Sequence, residues 1–356
     1  MNNSLVSVNI VVLNGEKYIR GCLDSVLAQT YLHENIEINI LDNGSIDQTV
    51  PLIENCKLKF ENSSFSRFKF IKNEKNLGMW GGQEELLKHT QGFCVVVLSV
   101  DVILGKDFIK NAVEKMDSNP QLGAIQAKVY RYNIQDVVEV KPQQQKIIDT
   151  CGFQIYRSRK ISNIGHGEED SGQYNQPCEI FGVEGAVPVI RTEALESIRI
   201  GSPSTGSGPS EIADHDLFWY AEDLDIAWRL NLAGWKQKYE PSLIAWHDRQ
   251  TTKRTSGSFK DFLMIRRSIP LRKRRLEWRN IRCTIIKNDY IINILKDLPY
   301  WLPREIAMFG YLLIFETRVL SEIFALILFL PRMLRKRSQI LSRTKTNARQ
   351  IHLYFA

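Results

Sequence analysis

The first hundred residues alternate between short apolar runs and amphipathic segments, and this alternation restricts the fold more than any other feature. Strands are predicted at residues 6–13, 36–41, 68–71 and 93–100, and the helices between them at residues 18–27, 48–58 and 81–90. The run Phe93–Val100 is continuously apolar, which is typical of a strand buried on both faces of a parallel sheet. The pattern predicts an α/β fold with a Rossmann-like, mostly parallel sheet flanked by helices.

Three of the predicted strands end in a polar side chain, namely Asn14, Asp42 and Asp101. In open α/β sheets, ligands bind beyond the carboxyl ends of the strands. We therefore expect a functional site at this edge, where Asp42 could accept the N3–H of a uracil or thymine ring and Asn14 could bind the same nucleotide. The alternative is that Asp42-Asn43-Gly44-Ser45 is only a turn.

Asp101 and His247 carry side chains that bind metals. If the nucleotide carries a diphosphate, a divalent cation that neutralises its charge would be held by oxygen ligands. The phosphates of the substrate would complete the coordination shell of the cation. Asp101 follows a buried strand and could supply one ligand, and His247 follows another strand-like segment and could supply a second. We predict Mg²⁺ or Mn²⁺ at these two residues. The alternatives are an ordinary carboxylate at a strand end and a structural histidine.

Glu222 and Asp223 stand at the start of a predicted helix, residues 223–233, which ends at Gly234. A carboxylate close to a substrate hydroxyl could remove its proton, and the acidic residues Glu222, Asp223 and Asp225 are the candidates here. The helix dipole also favours acidic residues in a first turn, which is the structural alternative, above all for Asp225. The segment Gly201–Ser210 before this helix is rich in Gly and Ser and is predicted to be a flexible loop.

The net charge of +7 is unevenly distributed. Residues 1–252 contain 25 Lys and Arg against 33 Asp and Glu, whereas residues 253–356 contain 22 against 7. Residues 253–287 alone hold 12 basic and 2 acidic side chains. We predict that only this basic tail contacts a polyanion, the alternative being a solvated basic face. The basic segment has few aromatics and no recognised nucleic-acid module, so we expect no nucleic-acid partner.

The C-terminal region combines apolar blocks with aromatic and basic flanks. The apolar blocks Ala307–Phe315 and Ile323–Leu330 are nine residues or shorter, below the roughly 20 that cross a bilayer as a helix. We predict helices that lie in an anionic membrane surface; the alternative is packing on their own domain or on a second copy of the chain. Because no signal peptide is recognised and six cysteines are scattered, we expect reduced, buried thiols and peripheral association with the cytoplasmic face of the membrane.

Six segments match the motifs of one known family in their order and spacing. They are Val12-Leu13-Asn14, Asp42-Asn43-Gly44-Ser45-Ile46-Asp47, Asn76-Leu77-Gly78-Met79-Trp80-Gly81-Gly82, Ser99-Val100-Asp101, Glu184-Gly185-Ala186, and Phe218-x-Tyr220-x-Glu222-Asp223-x-Asp225-x-x-Trp228-Arg229. Together they resemble family 2 of the glycosyltransferases, the inverting enzymes with the GT-A fold, and its rhamnosyltransferase-like branch in particular. The resemblance covers roughly residues 5–250. Only the last carboxylate of the family's metal-binding Asp-x-Asp is present, as Asp101.

The resemblance implies a role for each matching residue. It implies donor binding by Val12, Asn14, Glu16, Asp42, Asn43, Asn76, Gly78 and Asp101, acceptor binding by Trp80, Glu184, Gly185, Ala186 and Glu222, a divalent metal (Mg²⁺ or Mn²⁺) at Asp101 and His247, and Asp223 as the catalytic base. The donor would be a nucleoside-diphosphate sugar carrying uracil or thymine, with dTDP-rhamnose slightly favoured. The acceptor would be a hydroxyl of a lipid-linked saccharide in cell-surface polysaccharide synthesis. The processive signature Gln-x-x-Arg-Trp is absent, which favours one transfer per encounter.

These patterns predict three segments: a GT-A catalytic domain at residues 1–252, a basic segment at residues 253–288 and an amphipathic helical region at residues 289–356. The alternative function is a catalytically silent, membrane-bound module that binds a sugar or nucleotide with the same fold. Asp101, Glu222, Asp223 and His247 are all present, which favours the enzyme.

Overall fold

The computed structural model describes residues 4–65, 67–134, 146–201, 210–249 and 259–356. Most of the predicted loop Gly201–Ser210, the start of the basic segment and the predicted boundary at residue 252 lie outside the described residues. The strands are β1 Val6–Val12, β2 Ile36–Asp42, β3 Arg67–Lys72, β4 Cys94–Ser99, β5 Val102–Leu104, β6 Leu122–Arg131, β7 Ile148–Thr150, β8 Phe153–Ile155, β9 Ile161–Asn163, β10 Cys178–Glu179, β11 Val189–Arg191 and β12 Lys236–His247.

The helices are α1 Ile19–Leu27, α2 Thr49–Glu61, α3 Gly78–Leu87, α4 Phe108–Asp117, α5 Thr192–Ser197, α6 Glu222–Leu232, α7 Phe259–Ser268, α8 Leu271–Asn288, α9 Ile291–Lys296, α10 Leu298–Phe315, α11 Thr317–Leu320, α12 Glu322–Ser342 and α13 Ala348–His352. The described chain divides into two compact units. The first unit comprises residues 1–152, 163–197 and 235–250, and the second comprises residues 153–162, 198–234 and 251–356.

The first unit is built on a sheet with the strand order β10-β12-β6-β11-β4-β1-β2-β3. The strands β4, β1, β2 and β3 are parallel, which confirms the predicted α/β arrangement. The strand β11 runs antiparallel to both β4 and β6, so the other half of the sheet is mixed. Both β1 and β2 are buried along their whole length, and their β-branched residues Val6, Val8, Ile10, Ile36, Ile38 and Ile40 belong to the main hydrophobic core.

Strand register brings the expected ligand-binding ends together. Val12, the last residue of β1, pairs with Asp42, the last residue of β2. The helix α2 ends at Glu61 instead of the predicted residue 58, and α3 begins at Gly78 instead of residue 81. Gly78 has a φ of +77°, a backbone conformation that glycine adopts without strain, so the helix can start directly from the preceding loop.

The second unit is mainly helical, with α8 packed along α12. Its interior contains a buried charge cluster in which Lys287 binds the carboxylates of Asp214 and Asp225. Arg229 lies 2.8 Å from the same Asp225 carboxylate. These buried groups are paired, as desolvated charges must be to avoid a large penalty. The contacts of Asp225 therefore agree with a structural role, the alternative to a catalytic one.

The expected cationic face of the basic segment is largely neutralised within the second unit. Ion pairs connect residues of α7 and α8 to acidic residues of the same unit: Arg266–Glu277, Arg266–Glu316, Arg274–Glu316, Arg275–Glu322, Arg279–Glu322 and Arg282–Glu305. Lys287 is fully buried. These ion pairs compensate part of the positive charge of α7 and α8, and contact of the basic segment with a polyanion remains a prediction. Arg267 and Arg272 remain exposed.

Two further expectations concern thiols and membrane helices. Five of the six cysteines are buried, but Cys178 is exposed on the short strand β10, so the prediction of buried thiols is wrong at that position.

In the described part of the chain, every helix is too short or too polar to cross a bilayer. The helices α10 and α12 each contain an internal proline, Pro303 and Pro331.

Candidate active site

The loops at the carboxyl ends of β1 and β2 are joined by hydrogen bonds from the predicted donor-binding residues. Asn14 has a φ of +51°, and its side-chain oxygen accepts the backbone N–H of Ile46 at 3.0 Å. Glu16 accepts the N–H of Gln48 at 2.9 Å. The buried Val12 contributes its carbonyl, which accepts the N–H of Asn43 at 2.8 Å. The structure therefore brings these predicted residues together as one connected edge.

The segment before α3 is attached to the same edge. The Asn43 amide donates to the carbonyl of Gly78 at 3.0 Å and accepts the N–H of Leu77 at 3.2 Å. Asn76 accepts the N–H of Gly78 at 2.8 Å. Trp80, predicted to bind the acceptor, lies in the first turn of α3 with 5% of its surface exposed, so little of this ring is open to a ligand.

The Asp42 carboxylate is buried and accepts the backbone N–H groups of Gly44 and Ser45 at 3.2 and 3.1 Å. An ionised carboxylate has about four acceptor positions, so these two bonds leave capacity for a further donor. Gly44 has a φ of +89°, which a side chain would oppose. The turn and the ligand role are therefore compatible in the same residues.

Asp101 and His247 meet although they are distant in sequence. The strand β5, which follows Asp101, pairs antiparallel with the end of β12, where Val102 lies opposite His247. This pairing brings the Asp101 Oδ2 atom to 3.3 Å from His247 Nε2. The structure therefore brings the two predicted ligand residues together. That they bind a metal remains a prediction.

A buried carboxylate that the sequence analysis did not single out fixes the His247 ring. Asp149, in β7, is fully buried, and its Oδ2 atom lies 2.8 Å from His247 Nδ1. Arg249 binds Asp149 through Nε at 2.8 Å and Glu184 at 2.6 Å. The signal in the sequence is a single acidic residue inside the short apolar strand Ile148-Asp149-Thr150, which only strand pairing can connect to His247.

The predicted acceptor segment lies beside the end of β4. The carbonyl of Ala186 accepts the N–H of Ser99 at 3.0 Å, and the Glu184 carboxylate accepts the N–H of Ala186 at 3.1 Å. Gly185 lies between these two residues, so all three are close to the strand that ends before Asp101. Through Arg249, Glu184 is also connected to Asp149 and His247. The first unit therefore assembles Asp101, His247 and Glu184 into one charged network.

The charges of this network shift its pKa values in opposite directions. Burial alone would raise the pKa of Asp149, but the hydrogen bond from His247 and the charge of Arg249 outweigh it and lower that pKa to about 2. Burial alone would lower the pKa of His247, but the hydrogen bonds with Asp101 and Asp149 outweigh it and raise that pKa to about 9. Asp149 is therefore ionised, and Nδ1 of His247 must donate to it.

The pair Asp101 and His247 fits a small divalent cation. Two ligands on adjacent corners of an octahedron with bonds of about 2.1 Å lie about 3 Å apart, close to the observed 3.3 Å. Among the described residues, no group of three or more His, Cys, Asp or Glu side chains has the geometry of a metal site. Two protein ligands suit Mg²⁺ or Mn²⁺, whose shell is commonly completed by water and substrate phosphates.

In the second unit, Glu222 and Asp223 begin α6, and their environments differ. Glu222 is buried, whereas Asp223 is partly exposed and accepts the N–H of Leu224 at 2.8 Å. Burial first, and then the charge of Asp223, raise the pKa of Glu222 to about 8. A buried carboxyl group with a raised pKa next to a second carboxylate is a common feature of functional sites.

Comparisons with known proteins agree with this fold. The family model described as Glycosyl transferase family 2 matches residues 7–196. A poly-β-1,6-N-acetyl-D-glucosamine synthase of Staphylococcus epidermidis is 23% identical over 242 residues, which are 68% of this chain and 49% of the synthase. A dolichyl N-acetyl-α-D-glucosaminyl phosphate 3-β-D-2,3-diacetamido-2,3-dideoxy-β-D-glucuronosyltransferase of Methanococcus voltae is 32% identical over 111 residues, 31% of this chain and 33% of that protein. The chain thus spans about half the length of the synthase it matches.

Two solved structures share the fold. The mannosyltransferase PcManGT from Pyrobaculum calidifontis, in complex with GDP-Man and Mn²⁺, has a TM-score of 0.53 and 16% identity, and the match covers 96% of this chain and 86% of that one. GalNAc-T7 with UDP, GalNAc and Mn²⁺ has a TM-score of 0.53 and 15% identity, covering 79% of this chain and 48% of that one. The predicted GT-A fold is thereby confirmed.

Proposed function

Because the chain belongs to glycosyl transferase family 2, we propose that it transfers a sugar from a nucleoside-diphosphate sugar to a hydroxyl of a saccharide acceptor. The observation that carries this proposal is the pair Asp101 and His247, which lies beyond the ends of parallel strands and is oriented by a buried carboxylate. A silent binding module would have no use for so constrained a pair of ligand atoms.

Each predicted residue has a distinct part in the proposed reaction. Asp223 takes the proton of the acceptor hydroxyl, which becomes the nucleophile at the anomeric carbon and inverts its configuration. Asp101 and His247 would hold a divalent cation, which would supply charge neutralisation for the leaving diphosphate. Asp149 keeps Nε2 of His247 pointed at Asp101, so that both ligand atoms face the same position.

We propose a donor that carries uracil or thymine. The free acceptor capacity of Asp42 supports recognition of the N3–H group, which these two rings present and adenine lacks. The preference for dTDP-rhamnose over a UDP-sugar rests only on the sequence resemblance. The connected loops that contain Asn14, Glu16 and Asn43 would hold the nucleotide without large rearrangement, since their polar groups are already paired.

We also propose that the chain works at the cytoplasmic face of a membrane on a lipid-linked saccharide. The support is a set of exposed apolar side chains on the helices of the second unit: Ile306, Phe309, Leu313 and Ile314 on α10, and Phe324, Ile327, Leu328 and Leu334 on α12. Such an exposed apolar surface is uncommon unless it binds something. The exposed Arg332 and Arg335 supply cationic charge next to it.

The experiment that tests the transferase proposal is donor hydrolysis across a panel of nucleotide sugars, followed by competition with free UDP, dTDP, GDP and ADP. We expect hydrolysis of a UDP- or dTDP-sugar and the tightest inhibition by the matching diphosphate. Tightest binding of a purine diphosphate would contradict the assignment of the base. Binding of a nucleotide sugar without hydrolysis or transfer under any metal condition would favour the silent binding module.

A further inference from the structure

The turn directly before Glu222 has an unusual backbone. Phe218, Tyr220 and Ala221 have φ values of +58°, +69° and +68°, in the left-handed region that residues with side chains rarely adopt. Conformations of this kind are strained and persist only where the surroundings impose them. We call residues Phe218–Ala221 the aromatic turn. Its three strained residues stand immediately before the carboxylate pair.

A single buried amide imposes this conformation. The Asn280 side-chain nitrogen, on α8, donates to the carbonyls of Leu217, Trp219 and Tyr220 at 2.8, 2.8 and 2.9 Å. Asn280 is fully buried, and its amide oxygen accepts from Arg279 at 3.0 Å. The amide nitrogen has two hydrogens for three acceptors, so all of its donor capacity is directed at this turn. Asn280 therefore acts as a clamp on the aromatic turn.

The clamp presents aromatic rings to solvent. Phe218 and Trp219 are each 43% exposed. The centroids of the Trp219 and Tyr220 rings lie 4.4 Å apart, so the Tyr220 ring packs against one side of the Trp219 ring. Arg272 lies above the Phe218 ring at 5.9 Å, and Lys273 lies above the Tyr220 ring at 4.7 Å. The result is a rigid aromatic surface with polar and charged groups at its border.

We propose that Phe218 and Trp219 form a binding site for a sugar ring of the acceptor, a role that rests on the proposed transferase function. One face of a pyranose carries C–H groups and is apolar, while its edge carries hydroxyls. An exposed aromatic ring with polar groups around it matches both features. The turn leads directly into Asp223, so a saccharide stacked there has its hydroxyls near the carboxylates of the same unit.

The surroundings favour a saccharide over lipid as the occupant. The aromatic turn is bordered by Arg272, Lys273 and Asp223, and Glu277 contributes to the electrostatic environment of Tyr220. Burying this many charged groups in hydrocarbon would be costly, whereas hydroxyls can hydrogen-bond to them. Because the turn is already ordered before a sugar binds, binding does not have to offset the entropy lost in ordering it.

The test compares Trp219→Ala with the wild type on an immobilised array of saccharides that includes oligomers of β-1,6-linked N-acetylglucosamine. We expect the wild-type chain to bind at least one saccharide and Trp219→Ala to bind it at least tenfold more weakly. Trp219→Phe should keep most of the affinity, because it retains a ring. Leu353→Ala, an exposed apolar position of the same unit outside the turn, is the matched control and should bind like the wild type.

Donor hydrolysis without an acceptor separates this inference from the transferase proposal. We expect the wild type and Leu353→Ala to hydrolyse the donor at equal rates, whereas the saccharide array alone reports on the aromatic site. Equal saccharide binding by Trp219→Ala and the wild type would overturn the aromatic site, as would a wild-type chain that hydrolyses donor and binds no saccharide. Absence of donor binding and hydrolysis in the wild type would instead overturn the transferase. Asn280→Ala should reproduce the loss of saccharide binding in a folded chain.

Discussion

His247 Nδ1 lies 2.8 Å from Oδ2 of Asp149, a carboxylate that has no exposure to solvent. Since Asp149 is ionised and can only accept, this contact keeps a proton on Nδ1, so that Nε2, which faces Asp101, is the nitrogen that would lose its proton to bind a cation. Ligating histidines commonly donate their second N–H to a carboxylate, which fixes the ring and raises its basicity as a ligand. Asp149 is thus a positioning residue for the proposed cation.

The first prediction is that Asp149→Asn weakens Mn²⁺ binding by about 10- to 100-fold, the usual effect of losing such a partner. The amide can turn its NH₂ group towards the ring and thereby select the wrong tautomer. Electron paramagnetic resonance of free Mn²⁺ measures the affinity directly, without turnover. Asp24→Asn, at an exposed carboxylate of α1, is the control and should bind as the wild type does. Unchanged affinity in Asp149→Asn would remove the positioning role.

The second prediction is that activity depends on a divalent cation. Exhaustive treatment with EDTA should stop sugar transfer, and Mg²⁺ or Mn²⁺ should restore it, because the leaving diphosphate needs charge neutralisation. Asp101→Asn should raise the metal concentration needed for half-maximal activity. Full transfer after chelation would mean that Asp101 and His247 serve the reaction without a metal.

The third prediction is that Asp223→Asn lowers transfer by roughly 10²- to 10⁴-fold, because an amide cannot take the proton of the acceptor hydroxyl. Affinity for free UDP, measured by calorimetry, should stay close to the wild-type value. Asp216→Asn removes a carboxylate of the same unit that pairs with Arg332 and Lys336, and it should retain turnover. Near-normal turnover in a folded Asp223→Asn variant would exclude Asp223 as the base.

The fourth prediction concerns stability and Glu222, whose pKa is raised to about 8 by burial and by Asp223. The unfolded chain ionises this group near pH 4.5, so the folded state loses relative stability as pH rises from there to about 8. Glu222→Gln is neutral throughout and should gain stability over the wild type across this window, by about 1.4 kcal/mol per pH unit at most. Urea unfolding at pH 5, 6, 7, 8 and 9 measures the difference. A constant difference at every pH would contradict the shifted pKa.

The fifth prediction is that membrane association depends on apolar contacts more than on charge. Ile314 and Leu328 are 74% and 79% exposed, so Ile314→Ser and Leu328→Ser together should reduce sedimentation with anionic vesicles several-fold. High salt should release only part of the wild-type protein, because many basic side chains of α7 and α8 are already paired. Leu353→Ser is the control. A full-length chain that stays in the supernatant with both anionic and neutral vesicles would exclude the membrane proposal.

The parallel half of the fold and the ends of its strands were predictable from the sequence. Apolar runs with β-branched residues must be buried, and their period and length distinguish them from the amphipathic helices between them. The site residues Asn14, Asp42 and Asp101 could then be predicted as well, because polar residues at the ends of neighbouring strands meet at one edge of a parallel sheet. The family motifs added Glu222 and Asp223, which periodicity alone would assign to an ordinary helix start.

The long-range pairings were not predictable in this way. Asp149 reaches His247 only because β7 pairs with β6 and β6 pairs with β12, and a three-residue strand carries no periodic signal. The charge count of the basic segment could not show that Glu316 and Glu322 pair with its arginines, since Glu316 follows α10 and Glu322 begins α12, both outside that segment. The contact of Asn280 with the aromatic turn is another long-range pairing, between α8 and the segment before α6.

The distribution of thiols offers a means of observing the active-site sheet during catalysis. Cys178 is the exposed cysteine, and it pairs with Tyr239 on β12, the strand that ends at His247. Burial raises the pKa of the Cys178 thiol, so a maleimide dye or a spin label would be attached at mildly alkaline pH. Because the other five thiols are buried, the native sequence provides a single spectroscopic reporter on this strand without cysteine engineering.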